Sequence, residues 1–290
     1  MAKKSTNYPL PKLLTRKPNS HKGDYGHALL IGGSPAMAGA ISLASMAALR
    51  GGAGLVTVAV PAGIQGTVAQ FDPSYMTVGL EMDLAGQIPF HQRDTLTALA
   101  KSKSCIGIGP GLGTSRGIEM LVCDLYTQLR QPMVIDADAL NALSQRTEPL
   151  ADAAGPRILT PHPGEFRRLA KGRYLPKGSW SRIASDMAKA HNAIIVLKGH
   201  RTVVTDGQQV YNNNTGNAGM ATGGCGDVLT GLITALVGRG YSPMDAACLG
   251  VYLHGTAGDL AVKTTGKESL IASDLIDFIE SAFLAMEKNK

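Results

Sequence analysis

The sequence predicts an α/β fold in three layers, a mostly parallel central sheet with helices on both faces. Three observations predict it. Short apolar runs of strand length alternate with longer runs of helical period from residue 27 onward. Apolar strands separated by helices require crossovers that cover both faces of a parallel sheet. Hydrophobic residues make up 44% of the 290 and charged residues only 17%, which supplies a large core and argues against disorder.

The elements follow in order. HALLIGG (27–33) reads as a strand, MAGAISLASMAALR (37–50) as a helix, GLVTVAVP (54–61) and YMTVGL (75–80) as strands. A helix over 90–102 leads to the strand SCIGIG (104–109), then a helix over 115–129 and the strand PMVIDA (132–137). A short helix (138–143), the strand PRILTP (156–161) and helices over 164–171 and 179–192 come next. AIIVLKG (193–199) is a strand, and TVVTD and QQVYNN (202–206, 208–213) form a hairpin across Asp206-Gly207. Helices over 226–238, 243–262 and 272–287 complete a single domain spanning 1–290. Its polar N-terminal arm, to about Gly26, is the one expected appendage.

The net charge is +6, with several basic residues in that arm. Aromatics are 5%, and no basic stretch is interleaved with them, so no nucleic-acid partner is expected and a small anionic substrate fits better. Cys105, Cys123, Cys225 and Cys248 are dispersed without a CxxC pair, which predicts reduced thiols in a cytoplasmic protein and no zinc site. MAKKSTNYPLPKLL has no apolar signal core, and no segment approaches a membrane span. The familiar nucleotide motifs fail. TTGKES (264–269) has Ala261 where a P-loop needs glycine, and GIGPGLG (107–113) has Leu112 where a dinucleotide fingerprint needs it.

Chemistry concentrates where the strands end. Right-handed crossovers put all strand C-termini on one edge, where ligands bind in such sheets. In NAGMATGGCGDVLTG, glycines 223, 224 and 226 allow close backbone approach and precede a helix whose free N–H groups make an anion hole. Asp227 at its rim could take a proton from an attacking hydroxyl, or serve as an ordinary first-turn acid. In LTPHPGEF, His162 and Glu165 face a turn, where a carboxylate could hold Mg²⁺ through water. In VLKGHRT, Lys198 at a strand end could meet phosphates. Asp136 and Asp138 of VIDADALN could form a metal pair, or Asp138 a helix cap. Gly109 in GPGLG could let a flat ligand group approach. IGGSPAMAGA (31–40) brings to six the glycine- or acid-bearing loops on one edge. Together they point to a phosphate-handling cleft.

These motifs occur in the order and spacing of one family. From about Lys22 to about Phe283 the chain resembles the ADP-dependent NAD(P)H-hydrate dehydratases of the ribokinase-like superfamily. TPHPGE and the long glycine-rich block are specific to it, and His162 stands where many small-molecule kinases of that superfamily carry Asn. The resemblance implies phosphorylation of the hydroxyl on hydrated NADH or NADPH (NADHX, NADPHX), then loss of phosphate to regenerate the dinucleotide. It implies Asp227 as base, with Gly224, Cys225 and Gly226 as the anion hole. It implies Lys198, Gly199, His200, Arg201, Thr202 and Gly226 as nucleotide contacts, and Ala40, Gly109, His162 and Asp227 around the hydrate. Glu165 would help order Mg²⁺, and ADP or ATP would donate the phosphoryl group. A stand-alone dehydratase without the epimerase domain, a separate epimerase in the same pathway and a homotetramer are further expectations. A vitamin-precursor kinase or a non-catalytic nucleotide-binding module would share the fold.

Overall fold

The computed structural model describes residues 6–171, 176 and 178–288. In chain order its elements are β1 (Thr6–Asn7), β2 (His27–Ile31), α1 (Ala38–Arg50), β3 (Leu55–Pro61), α2 (Ala62–Ala69), β4 (Met76–Leu80), α3 (Arg93–Ala100), β5 (Cys105–Ile108), α4 (Arg116–Gln128), β6 (Met133–Ile135) and α5 (Ala137–Gln145). They continue with β7 (Arg157–Leu159), α6 (Pro163–Leu169), α7 (Trp180–His191), β8 (Ile194–Leu197), β9 (Val203–Thr205), β10 (Gln209–Asn212), α8 (Cys225–Gly238), α9 (Pro243–Thr265) and α10 (Ala272–Lys288).

Ten strands among the described residues form one sheet in the order β1-β10-β9-β8-β7-β6-β5-β2-β3-β4. From β8 to β4 every neighbour pair is parallel. The antiparallel pairs are β8–β9 and the β9–β10 hairpin. That hairpin turns at Gly207, φ 90°, with Asp206 Oδ1 accepting from the Gln208 and Gln209 N–H groups.

Side chains alternate across the sheet, and each face builds its own core. Leu30, Val58, Val134, Ile158 and Val196 pack with α1, α2, α8, α9 and α10. Leu29, Ile31, Ile106, Ile135 and Ile195 pack with α3 to α7. The alanines of α1 serve the first core. Ala44, Ala47 and Ala48 are fully buried, and a β-carbon on Gly231 of α8 would stand 1.9 Å from the Ala44 carbonyl oxygen. Small residues on both helices let their backbones approach closely.

Two features differ from the sequence reading. Ala62–Ala69, which was assigned no element, is helix α2, directly continuous with β3. Its two glycines lower helix propensity, and burial of Ile64 and Val68 overrides that. The N-terminal arm is no loose appendage. Strand β1 pairs with β10, Leu13 is buried in the first core, and the Tyr8 hydroxyl donates to Asp245 Oδ1 at 2.7 Å. Residues 1–5 lie outside the described residues.

Candidate active site

The chain leaves β2 outward through β3 and β4, then returns to place β5 on the other side of β2. That reversal is a topological switch point, the place where such sheets bind ligands beyond the strand ends. The loop after β2 and the loop after β5 meet there, with the Gly33 N–H donating to the Pro110 carbonyl at 2.8 Å. Ala40 enters the same wall, since a β-carbon on Gly111 would lie 3.2 Å from its methyl. Gly109, φ 126°, is buried. The carbonyl of Asp136 fills the space its β-carbon would take, at 1.8 Å. Packing between the strand ends by itself requires that glycine.

Helix α8 begins at Cys225, with Gly224 at the N-cap in the left-handed region, φ 91°. A β-carbon there would strike Leu43 and Ala272, so glycine is demanded twice. The first N–H answered by a carbonyl of this turn is that of Val228, on Gly224. The N–H groups of Cys225, Gly226 and Asp227 head the helix at the positive end of its dipole. The Cys225 thiol is buried, which pushes it up to about 11, so the residue contributes its backbone and not a thiolate.

Beneath this turn lies a charged network. Asp136, 1% exposed, accepts from Lys198 Nζ at 2.7 Å through Oδ1 and from the Thr230 hydroxyl at 2.7 Å through Oδ2. Lys198 Nζ also lies 4.0 Å from Glu165 Oε2. Burial acts to lower the Lys198 pKa, but Asp136 and Glu165 outweigh it and hold the ammonium above its ordinary value. The Asp227 carboxylate takes no hydrogen bond from another described residue. Burial, then the charge of Asp136, pushes its carboxyl up to about 7, against the opposing pull of Lys198. A half-buried, unpartnered carboxylate of that pKa suits a general base near neutrality.

His162 and Glu165 form a capping box on α6. His162 Nδ1 accepts from the Gly164 N–H at 2.9 Å, and Glu165 Oε2 accepts from the His162 N–H at 2.8 Å. Because Nδ1 accepts, the proton of the neutral ring sits on Nε2, 3.3 Å from Glu165 Oε1. Burial lowers the His162 pKa and raises Glu165 to about 7. Asp136 and Asp138 are engaged separately. Asp138 Oδ2 accepts from the Gly113 N–H at 2.8 Å, and Asp136 accepts from Lys198 and Thr230.

Lys198 is thus drawn into the network, while Gly199, His200 and Arg201 are exposed on the turn between β8 and β9. Thr202 closes that turn by donating to the Gly199 carbonyl at 3.2 Å. Two members escaped the sequence reading. Thr230 stands one turn after Gly226, a spacing that puts both on one helix face. His254 of α9 reaches the Cys225 carbonyl through Nε2 at 2.9 Å, and burial lowers it to about 4, so a neutral imidazole holds the α8 terminus. No sequence signal marks His254.

A family model described as NAD(P)H-hydrate dehydratase matches residues 28–281. The chain belongs to the NAD(P)H-hydrate dehydratase family. It is 46% identical over 281 residues to a bifunctional NAD(P)H-hydrate repair enzyme of Moorella thermoacetica, covering 96% of this chain and 53% of that one. The chain therefore spans about half the length of the curated relatives it first matches. It is 37% identical over 250 residues to an ADP-dependent (S)-NAD(P)H-hydrate dehydratase of Lactiplantibacillus plantarum, covering 85% and 84% of the two chains. Among solved structures, an ADP/ATP-dependent NAD(P)H-hydrate dehydratase of Bacillus subtilis, co-crystallised with ATP and Mg²⁺, superposes with a TM-score of 0.81 at 31% identity, covering 95% of each chain. Ribokinase of Thermotoga maritima, at 14% identity and TM-score 0.54, covering 88% of this chain and 99% of its own, shares the fold alone.

Proposed function

We propose that the chain dehydrates NADHX and NADPHX to NADH and NADPH, with ADP or ATP as phosphoryl donor, in metabolite repair. The observation that carries this reading is Asp227, unpartnered and raised to about 7, on the same helical turn as the anion hole of Gly224 to Gly226. Asp227 takes the proton of the ring hydroxyl as its oxygen attacks the terminal phosphorus of the donor. With ADP, the P–O bond to AMP breaks and AMP leaves with the electron pair. The N–H groups of α8 and the Lys198 ammonium stabilise the charge on the transferring oxygens. The ring then loses phosphate with the C–O bonding pair and a proton from the adjacent carbon, restoring the double bond. Hydroxide leaves poorly because its conjugate acid, water, has a pKa of about 15.7, whereas phosphate ionises its second proton near about 6 and leaves far more readily.

Mg²⁺ fits the residues present through one carboxylate. Among the described residues no three His, Cys, Asp or Glu side chains converge into a metal site. Mg²⁺ ordinarily keeps several waters and leans on phosphates with one or two carboxylates. Glu165, 5% exposed and already accepting from His162, would hold such an ion through water, and the cation would supply neutralising charge to the phosphates. The exposed Gly199 to Thr202 turn would hold the nucleoside, and Ala40, Gly109 and His162 would border the hydrate. A separate epimerase acting in the same pathway is part of this reading, and relatives named as bifunctional NAD(P)H-hydrate repair enzymes are in keeping with it. A cytoplasmic homotetramer is part of the proposal. No helix among the described residues is long and apolar enough to cross a membrane.

The test is recovery of dihydronicotinamide absorbance from purified NADHX with Mg²⁺ and either ADP or ATP. Nucleotide-dependent recovery supports the reading and identifies the donor. Nucleotide binding without recovery would shift the assignment to a kinase for another hydroxyl substrate.

A further inference from the structure

The network beneath α8 holds an acid with no part in the reaction as written. Asp136, at the end of β6, meets Lys198 from the end of β8 and Thr230 from α8, both at 2.7 Å. A β-carbon on Gly226 would lie 3.2 Å from Lys198 Nζ and 3.7 Å from Asp136 Oδ2, so both partners sit directly under the anion hole. An ammonium carries three donors, and Asp136 takes one. The Lys198 side chain keeps 18% exposure, so it is not sealed off from solvent. Its other neighbouring anions are Glu165, 4.0 Å away, and Asp227.

We propose that Asp136 is a positioning residue, which captures the Lys198 ammonium behind the first turn of α8 so that the lysine serves the phosphates while Asp227 stays an unpaired base. A lysine free to swing would settle on Asp227 and quench it, because an adjacent ammonium favours the ionised, weakly basic carboxylate. The Thr230 hydroxyl completes the clamp by saturating the second oxygen of Asp136, which fixes the carboxylate plane. The groups acting on Asp227 are Asp136, Asp138 from α5, Glu165 from α6 and Lys198. The protonated Cys225 thiol adjoins it. Of these, Lys198 alone opposes its raised pKa, and Asp136 alone binds that lysine at hydrogen-bond distance.

This inference rests on the proposed phosphoryl-transfer reading, and its test separates the two. NADHX recovery with ADP and Mg²⁺ is followed against pH for the full chain and for Asp136→Asn, Thr230→Val, Thr230→Ser, Lys198→Gln and the Asp136→Asn/Lys198→Gln double variant. Asp136→Asn is expected to lower kcat about 10- to 100-fold and to move the acid limb of the profile to lower pH. Thr230→Val is expected to follow in the same direction and Thr230→Ser to restore the wild-type profile. The double variant should be no slower than Lys198→Gln alone, since Asp136 acts through the lysine. An unmoved acid limb in folded Asp136→Asn, or in Thr230→Val if the former does not fold, overturns the proposal. So do additive losses in the double variant. If the wild-type chain regenerates no dinucleotide, the proposed function fails first, and calorimetry then decides this point. Asp136→Asn, or Thr230→Val in its place, should weaken binding of ADP and spare adenosine. Equal effects on both ligands overturn it.

Discussion

The ammonium of Lys198 lies 3.2 Å from the place a β-carbon on Gly226 would occupy. Gly226 sits within a helix, where glycine is disfavoured relative to alanine by about 1 kcal/mol. Opposite it lies a buried ion pair, Lys198 with Asp136, beneath the proposed anion hole. Gly226→Ala should therefore leave the melting temperature unchanged or raise it, while kcat/KM falls about ten-fold. A variant with normal kinetics would remove the steric argument.

Asp227→Asn should lower kcat by about 10²- to 10⁴-fold and leave nucleotide affinity intact by calorimetry. It should also stabilise the protein. Asp227 is raised from 3.8 to about 7 in the fold, so between those values the native state holds a proton that the unfolded chain releases. Stability from this group is complete below about 4 and is lost as the pH rises through about 7. At pH 8 the variant should melt roughly 2–6 °C above wild type. The gap should close on acidification through that window.

The rate profile should carry the same signature. In the proposed mechanism the ionised form of Asp227 is the base, so kcat/KM is expected to decline below pH 7 with an apparent pKa of about 7. Glu165 is raised into the same range, so the limb reports the coupled pair. Glu165→Gln should sharpen it toward a single titration. A profile flat down to pH 5 would remove Asp227 as the base.

Arg157, 1% exposed, donates to the carbonyls of Tyr126, Leu129 and Gln131 and closes the C-terminal end of α4. Arg157→Leu leaves those oxygens unanswered and should destabilise by about 3 kcal/mol in urea titration. The activity of the folded fraction should persist, because the residue lies at the opposite edge of the sheet from Asp227.

Gly231→Ala should separate α1 from α8 and destabilise by about 2 kcal/mol or more, since its methyl would meet the Ala44 carbonyl. Displacing α8 also displaces the anion hole, so a loss of activity is expected in protein that still folds at low temperature.

The sequence by itself determined the alternation of strands and helices, the parallel sheet, the glycine-rich start of α8 and the edge on which Asp227, Glu165 and Lys198 gather. These are local signals: apolar period, turn residues and the residue types that follow each strand. Only the tertiary structure decided the rest. It made a helix of Ala62–Ala69 and paired the N-terminal arm with β10, because burial outweighs weak local preference. It joined Asp136 to a lysine and Asp138 to the Gly113 loop. It brought Asp136 to Lys198, 62 residues on, and to Thr230, 94 residues on. A side chain's partner across such separations is set by the order of strands in the sheet, which periodicity along the chain does not encode. His254 is the extreme case, an unremarked histidine on α9 whose contact with Cys225 exists only because two helices pack on the same face of the sheet.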